Sequence, residues 1–267
     1  MRLVVLLSCM NKKDIGIISE SNIQSDIIIV NQCDHNSVEE FTFEDVNSKR
    51  HKCIFYSTTS RGLSKSRNIA LNLAINERYD IALLCDDDEY LTLGYSSAVC
   101  NAYAENKHVD IIVFSIDWKE RHKPSPKQKQ KMGLIEILRT SSQQISFKVE
   151  SILNADIFFD EKMGSGTGNG GGEEIKFLLD SYRKRLHLLQ HPYEVAKINP
   201  GSKSQWFKGF TSEYLENLAW SNRRAMGDVL GYAYIWWYCF SHLGLYRRNF
   251  TIFTMLKVVH KGFFSKR

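Results

Sequence analysis

Three consecutive aspartates, Asp86, Asp87 and Asp88, close the apolar run Ile81–Cys85 in "IALLCDDDEYL". Neighbouring carboxylates repel one another, and the repulsion grows as water is excluded, so a row of them after a buried strand calls for positive charge. Side chains two apart on a strand share a face. Asp86 and Asp88 therefore have the spacing to ligate a hard divalent cation, Mg2+ or Mn2+, with positions left over for phosphate oxygens. The same residues also read as a solvated acidic turn. Their place at the carboxyl end of an apolar strand, where open α/β sheets bind ligands, favours the metal.

Two further stretches carry polar groups in suggestive order. "STTSRGLSKSRN" sets Arg61, Lys65 and Arg67 around Gly62 at the start of a helical pattern. Ordinary surface cations would look the same, but cations beside free helical N–H groups also suit a diphosphate. "GSGTGNGGGEEIKFLL" ends a glycine run where a second helix begins, with Glu173 and Glu174 in its first turn, where the helix dipole favours acids. Gly166–Gly171 formally match G-x-G-x-x-G. A dinucleotide fingerprint follows the first strand of a βαβ unit, and this segment lies late in the chain, so that reading is set aside.

The elements that must position these residues alternate along the first half. Leu3–Ser8, Asp26–Gln32, Cys53–Ser57, Ile81–Cys85 and Asp110–Ile116 are short and apolar on both faces, as in a parallel sheet covered by helices. Ser64–Arg78, with Ser64 as N-cap, and Ser96–Asn106 read as helices between strands. Gln144–Val149 is a further strand, and Lys119–Lys131, with two prolines and no apolar residue, a solvated loop. The β-α-β alternation predicts an α/β fold with a mainly parallel sheet. From Trp206 onward the pattern is helical.

At 267 residues, 43% hydrophobic and 24% charged, the chain has the composition of a folded globular protein. Its six cysteines form no C-x-x-C pair, which argues against zinc and dithiol chemistry and for buried reduced thiols. The apolar run Leu3–Leu7 is too short for a signal-peptide core, so a cytoplasmic location is expected. The net charge of +5 concentrates at the far end, where Tyr246–Arg267 holds six Lys or Arg and no acid, interleaved with aromatics. That pattern suggests an anionic surface, a membrane headgroup layer (the inner face of the cell membrane) or nucleic acid, while the aromatics by themselves also suit a protein core. Val229–Leu245 is uncharged but, at 17 residues, only reaches the lower limit of a membrane span.

"RGLSKSRNIALNLA" followed by "IALLCDDDEY" resembles the donor half of bacterial family 2 glycosyltransferases, which have the Rossmann-like GT-A fold; the likeness runs from Leu3 to about Leu189. It implies a catalytic domain over 1–205, with a donor-binding half (1–118) and an acceptor half (119–205), and a helical extension over 206–267. It also implies transfer from a nucleotide sugar, expected to be a UDP-sugar, to a glycan hydroxyl in O-antigen, capsule or exopolysaccharide synthesis. Asp88 and Asp86 would hold Mn2+ or Mg2+, with Asp86 also near the ribose and Asp87 counted on the donor side. Ser8 and Cys9 would lie under the nucleoside, Asp34 at the uracil, and Arg61, Lys65 and Arg67 around the diphosphate. "GGGEE" resembles the family's glycine-then-acid motif, which makes Glu174, ahead of Glu173, the general base of an inverting transfer; the family often has Asp at the second position. Trp206 is a sugar-stacking candidate, while His187 and His191 read as structural. The acceptor could be lipid-linked, and no nucleic acid is expected. The competing expectations are a nucleotidyltransferase that makes a nucleotide sugar, and a non-catalytic membrane or nucleic-acid binder on the same fold.

Overall fold

A computed structural model of the chain describes every residue except 120–122, 200–208 and 248. The chain divides into two compact units: Met1–Arg61, Lys65–Phe158 and Asp180–Ser202 form the first, and Gly62–Ser64, Phe159–Leu179 and Lys203–Arg267 the second.

The first unit is built on β1 (Leu3–Met10), β2 (Asp26–Gln32), β3 (Ser37–Glu44), β4 (Arg50–Thr58), β5 (Ile81–Asp86), β6 (Glu89–Leu91), β7 (Ile111–Asp117), β8 (Gln130–Lys131), β9 (Ile145–Lys148) and β10 (Leu188–Ile198). They form one sheet in the order β3-β4-β2-β1-β5-β9-β7-β10-β6, with β8 also on β10. Six strands, β1, β2, β4, β5, β7 and β10, run one way. β3, β6, β8 and β9 run against them. The sheet is thus mainly parallel, as the apolar runs predict. β1, β2 and β5 owe their central places to β-branched and leucine side chains that fill both faces: Val5, Leu7, Ile29 and Leu83 on one and Val4, Leu6, Ile28 and Leu84 on the other are all buried.

Helices α1 (Gly16–Glu20), α2 (Leu63–Asn76), α3 (Tyr95–Glu105), α4 (Leu134–Ile137), α5 (Val149–Asn154) and α6 (Glu173–Arg183) connect the strands. Ser64 does not cap α2, because the helix starts at Leu63 and the Ser64 hydroxyl donates to the Met163 carbonyl at 2.7 Å. The sequence pattern also leaves β10 unread. Its segment "LLQHPYEVAKI" contains Pro192, which cannot donate to a ladder, and the register with β7 shifts between His191 and Glu194.

The C-terminal part of the second unit is helical: α7 (Ser212–Met226), α8 (Asp228–Ser241), α9 (Leu243–Tyr246) and α10 (Ile252–Phe263). The Thr211 and Thr251 hydroxyls cap α7 and α10 by accepting from the Tyr214 and Thr254 N–H groups. Leu215, Ala219, Ile235, Cys239, Tyr246, Met255, Val259 and Phe263 make its core. Two glycines let the helices touch. A Cβ on Gly231 would lie 2.7 Å from the Asn222 carbonyl oxygen, and one on Gly262 would lie 2.4 Å from that of Glu216. Among the described residues no helix is long and apolar enough to cross a membrane.

Candidate functional site

Parallel strands bring their carboxyl ends to one edge, and most of the candidate residues of the first unit collect there. Ser8 of β1 stands opposite Asp86 of β5, and Met10 opposite Gln32 of β2. α2 starts from the same edge after β4. Its Ser66 hydroxyl bonds that of Ser8 at 2.9 Å, and its Arg67 guanidinium donates to Asp86 Oδ1 at 3.1 Å. Arg67 is only 2% exposed. A guanidinium that deep needs an anion, and Asp86 supplies one.

β5 ends at Asp86, the chain turns through Asp87 and Asp88, and it re-enters the sheet as β6. This turn brings one carboxylate oxygen each of Asp86, Asp88 and Glu89 within 4.8 Å of one another. Asp87 is exposed and lies outside that group. The 3-10 turn Ser142–Gln144 steadies the acids, with the Gln143 amide donating to Asp88 Oδ1 at 3.3 Å and the Ser142 hydroxyl within 3.5 Å of Asp86 Oδ2.

Glu89 is the residue the sequence reading missed. It is fully buried; its Oε1 accepts the Asp86 backbone N–H at 2.7 Å, and its Oε2 has no hydrogen-bond partner among the described residues. Burial, and then the negative Asp86, push its carboxyl well above the usual glutamate range. A signal existed in the alternation of β6, where Glu89 and Leu91 point inward and Tyr90 outward. The donor set is three carboxyl groups and so all oxygen, which suits Mg2+ or Mn2+. The orphaned Oε2 beside two more carboxylates is what such a cation would satisfy. By this test the three acids fit a divalent ion.

The remaining donor-side candidates lie around this edge with differing exposure. Cys9 is buried, its thiol pushed up to about 12 by burial, and unsuited to be a nucleophile. Asp34, two residues past β2, is fully exposed and bonds the His35 ring at 2.9 Å, which holds its carboxyl below the usual range. Arg61 is exposed and donates to the Thr58 carbonyl at 3.3 Å, and Lys65 is half-buried in the first turn of α2. His191 packs its ring against Phe114 at 5.3 Å, in keeping with a structural role.

Glu173 and Glu174 belong to the second unit. The glycine run before them is folded on itself: Gly164 donates to the Gly170 carbonyl at 2.8 Å, and Gly164, Gly166, Gly168, Gly170 and Gly172 all have positive φ. Only glycine takes that conformation without strain. At Gly164 a Cβ would also press on the Ser64 hydroxyl at 3.0 Å and on the Glu173 carboxyl carbon at 3.2 Å. Glu173 is buried within this packing, whereas Glu174 is half-buried and is the more accessible of the two. α6 is held by the Phe177 ring stacked on Phe159 at 4.4 Å. Trp206 lies outside the described residues.

Compared with solved structures, the chain is similar to S. aureus TarS 1–349 in complex with UDP-GlcNAc, with a TM-score of 0.64 and 14% identity over 98% of this chain and 81% of that one. The complex of the same protein with UDP gives 0.60 and 15% over the same shares. A longer TarS structure gives 0.57 and 14%, covering 95% of this chain and 44% of that one. At such identity the likeness is one of fold. No family model matches the chain, and no curated protein matches it in sequence.

Proposed function

We propose that this protein is a glycosyltransferase that takes a sugar from a nucleotide sugar, a UDP-sugar in the first instance, and places it on a hydroxyl of a cell-surface glycan. One observation carries the reading. A cluster of the half-buried Asp86 and Asp88 with the buried Glu89, and with Arg67 bonded to Asp86, stands at the carboxyl edge of the sheet. That is where open α/β folds bind ligands. The support from outside is a fold shared with TarS, whose structures carry UDP-GlcNAc and UDP.

In this mechanism Asp86, Asp88 and Glu89 would hold a Mn2+ or Mg2+ ion, which when bound offsets negative charge on the leaving diphosphate. Arg67 holds Asp86 in place through its hydrogen bond, and Lys65 and Arg61 add positive charge for the diphosphate. Glu174 takes the proton of the acceptor hydroxyl as that oxygen bonds the anomeric carbon. The bond from that carbon to the diphosphate oxygen breaks, its electron pair leaves with the nucleoside diphosphate, and attack from the opposite side inverts the configuration.

Calorimetric titration of UDP tests the reading, run with Mn2+, with EDTA, and on Asp88→Asn. Binding that needs the metal and is lost in the variant supports it. Absence of UDP, GDP and CDP binding in every condition would overturn it.

A further inference from the structure

The helical unit carries a face that a water-soluble surface does not explain. On α8 the outward positions Val229, Ala233, Trp237 and Phe240 follow spacings of four, four and three, so they line one side of the helix. Val229 is 80% exposed and Trp237 60%, and Leu230 beside them is exposed too. The opposite side, with Gly231, Ile235 and Cys239, is buried. On α10 the inward residues are Met255, Val259 and Phe263, while Phe253, at 85% exposure, points outward with Leu256, Lys257, His260, Lys261 and Phe264.

Both helices pack on α7, and the Tyr232 ring of α8 reaches those of Phe263 at 5.0 Å and Phe264 at 6.2 Å. Between them runs an open groove of about 500 Å3 lined by Tyr232, Trp236, Leu256, Lys257, His260 and Lys261. Exposed helix faces are normally polar. An apolar and aromatic patch edged by cations marks a binding surface.

We propose that the α8–α10 face docks on an anionic phospholipid surface, lying in the headgroup layer without crossing it. Charge selects this occupant. Tyr246–Arg267 contains six Lys or Arg and no acid, and among the described residues Lys257 and Lys266 have no ion-pair partner. Tryptophan and tyrosine favour the depth where headgroups meet acyl chains, and an interfacial helix combines such an apolar side with basic residues. Length excludes a span: the 14 residues of α8 reach about 21 Å, short of the ~30 Å hydrocarbon layer. The inference concerns a face with no part in sugar transfer, and it stands or falls apart from the UDP titration.

The test is sedimentation of the purified full chain, without nucleotide, on vesicles of phosphatidylcholine alone and of phosphatidylcholine mixed with phosphatidylglycerol, with light scattering of the free protein alongside. The wild type is expected to pellet with the anionic vesicles, less so as salt rises. Trp237→Ala with Phe253→Ala should abolish that binding with an unchanged circular dichroism spectrum, since both side chains point outward. Lys257→Glu with Lys266→Glu should weaken it by at least about 25-fold, given roughly fivefold per cation near an anionic bilayer. Three results would overturn the proposal: no binding to anionic vesicles, binding that ignores both double variants, or a dimer in light scattering that both double variants break while vesicles stay unbound. The last would assign the face to a second copy of the chain.

Discussion

Gly262 offers a test in which two physical effects have opposite signs. In an open helix, replacing glycine with alanine stabilises by about 0.5–1 kcal/mol, because the unfolded chain loses freedom. Gly262 is not in the open. A Cβ there would sit 2.4 Å from the Glu216 carbonyl oxygen, 2.6 Å from its Cα and 2.9 Å from its carbonyl carbon. Carbon and its neighbours rest at about 3.5–4.0 Å, so α10 would have to lift from α7 by about 1 Å. The atoms in the way are backbone in the middle of α7 and cannot swing aside. Lifting α10 would loosen Met255, Val259 and Phe263 from the core they share with Leu215 and Ala219. Overpacking of this kind costs about 1–3 kcal/mol, which exceeds the helix gain. Gly262→Ala should therefore lose about 0.5–2 kcal/mol. Gly244, with nothing within 4 Å of an added Cβ, is the control and should be neutral or slightly stabilised as alanine. Urea unfolding followed by tryptophan fluorescence reads this unit, since Trp220, Trp236 and Trp237 lie in α7 and α8. A Gly262→Ala protein as stable as the wild type, or more so, would refute the close helix contact.

Two further outcomes follow from the charged groups. The Asp160 carboxylate accepts two bonds from Arg224, at 2.6 and 2.9 Å, and these hold its pKa below the ordinary aspartate value although burial pushes it up. A depressed folded pKa contributes stability at pH values above the unfolded one, near 4, that is lost on acidification. Asp160→Asn should accordingly lose about 1–3 kcal/mol at neutral pH, and the gap in urea-measured stability should narrow as pH falls below about 4; a gap independent of pH would count against the ion pair. Glu89→Gln keeps an oxygen for the Asp86 N–H but removes an anionic ligand. Its Mn2+ affinity by calorimetry should fall at least about tenfold without loss of thermal stability in EDTA, and an unchanged affinity would remove Glu89 from the metal site.

What sequence alone determined is what depends on local pattern. The runs "LVVLLS", "DIIIVNQ" and "IALLC" are apolar on both faces, and such strands can exist only where helices or other layers cover both sides of a sheet. From that alone follow the α/β class and the place of Asp86–Asp88 at a carboxyl edge. The start of α6 at Glu173 is equally local, since glycine must stop where the helix begins and the first turn attracts acids.

Tertiary structure decided the rest, because pairing and burial involve partners far apart in the chain. Nothing local tells "ISFK" to insert antiparallel between β5 and β7, or tells "LLQHPYEVAKI" to follow β7 across a break at Pro192. Nor could a row of four acids reveal which one is sealed from water. Glu89 is buried because β6 pairs with β10 and turns that residue inward, while Asp87, two residues earlier in the turn, is exposed. The uncharged stretch of α8 shows the same division. Its composition marks it as apolar, but only the close approach at Gly231 fixes which side meets α7, and so leaves Trp237 and Phe240 facing out.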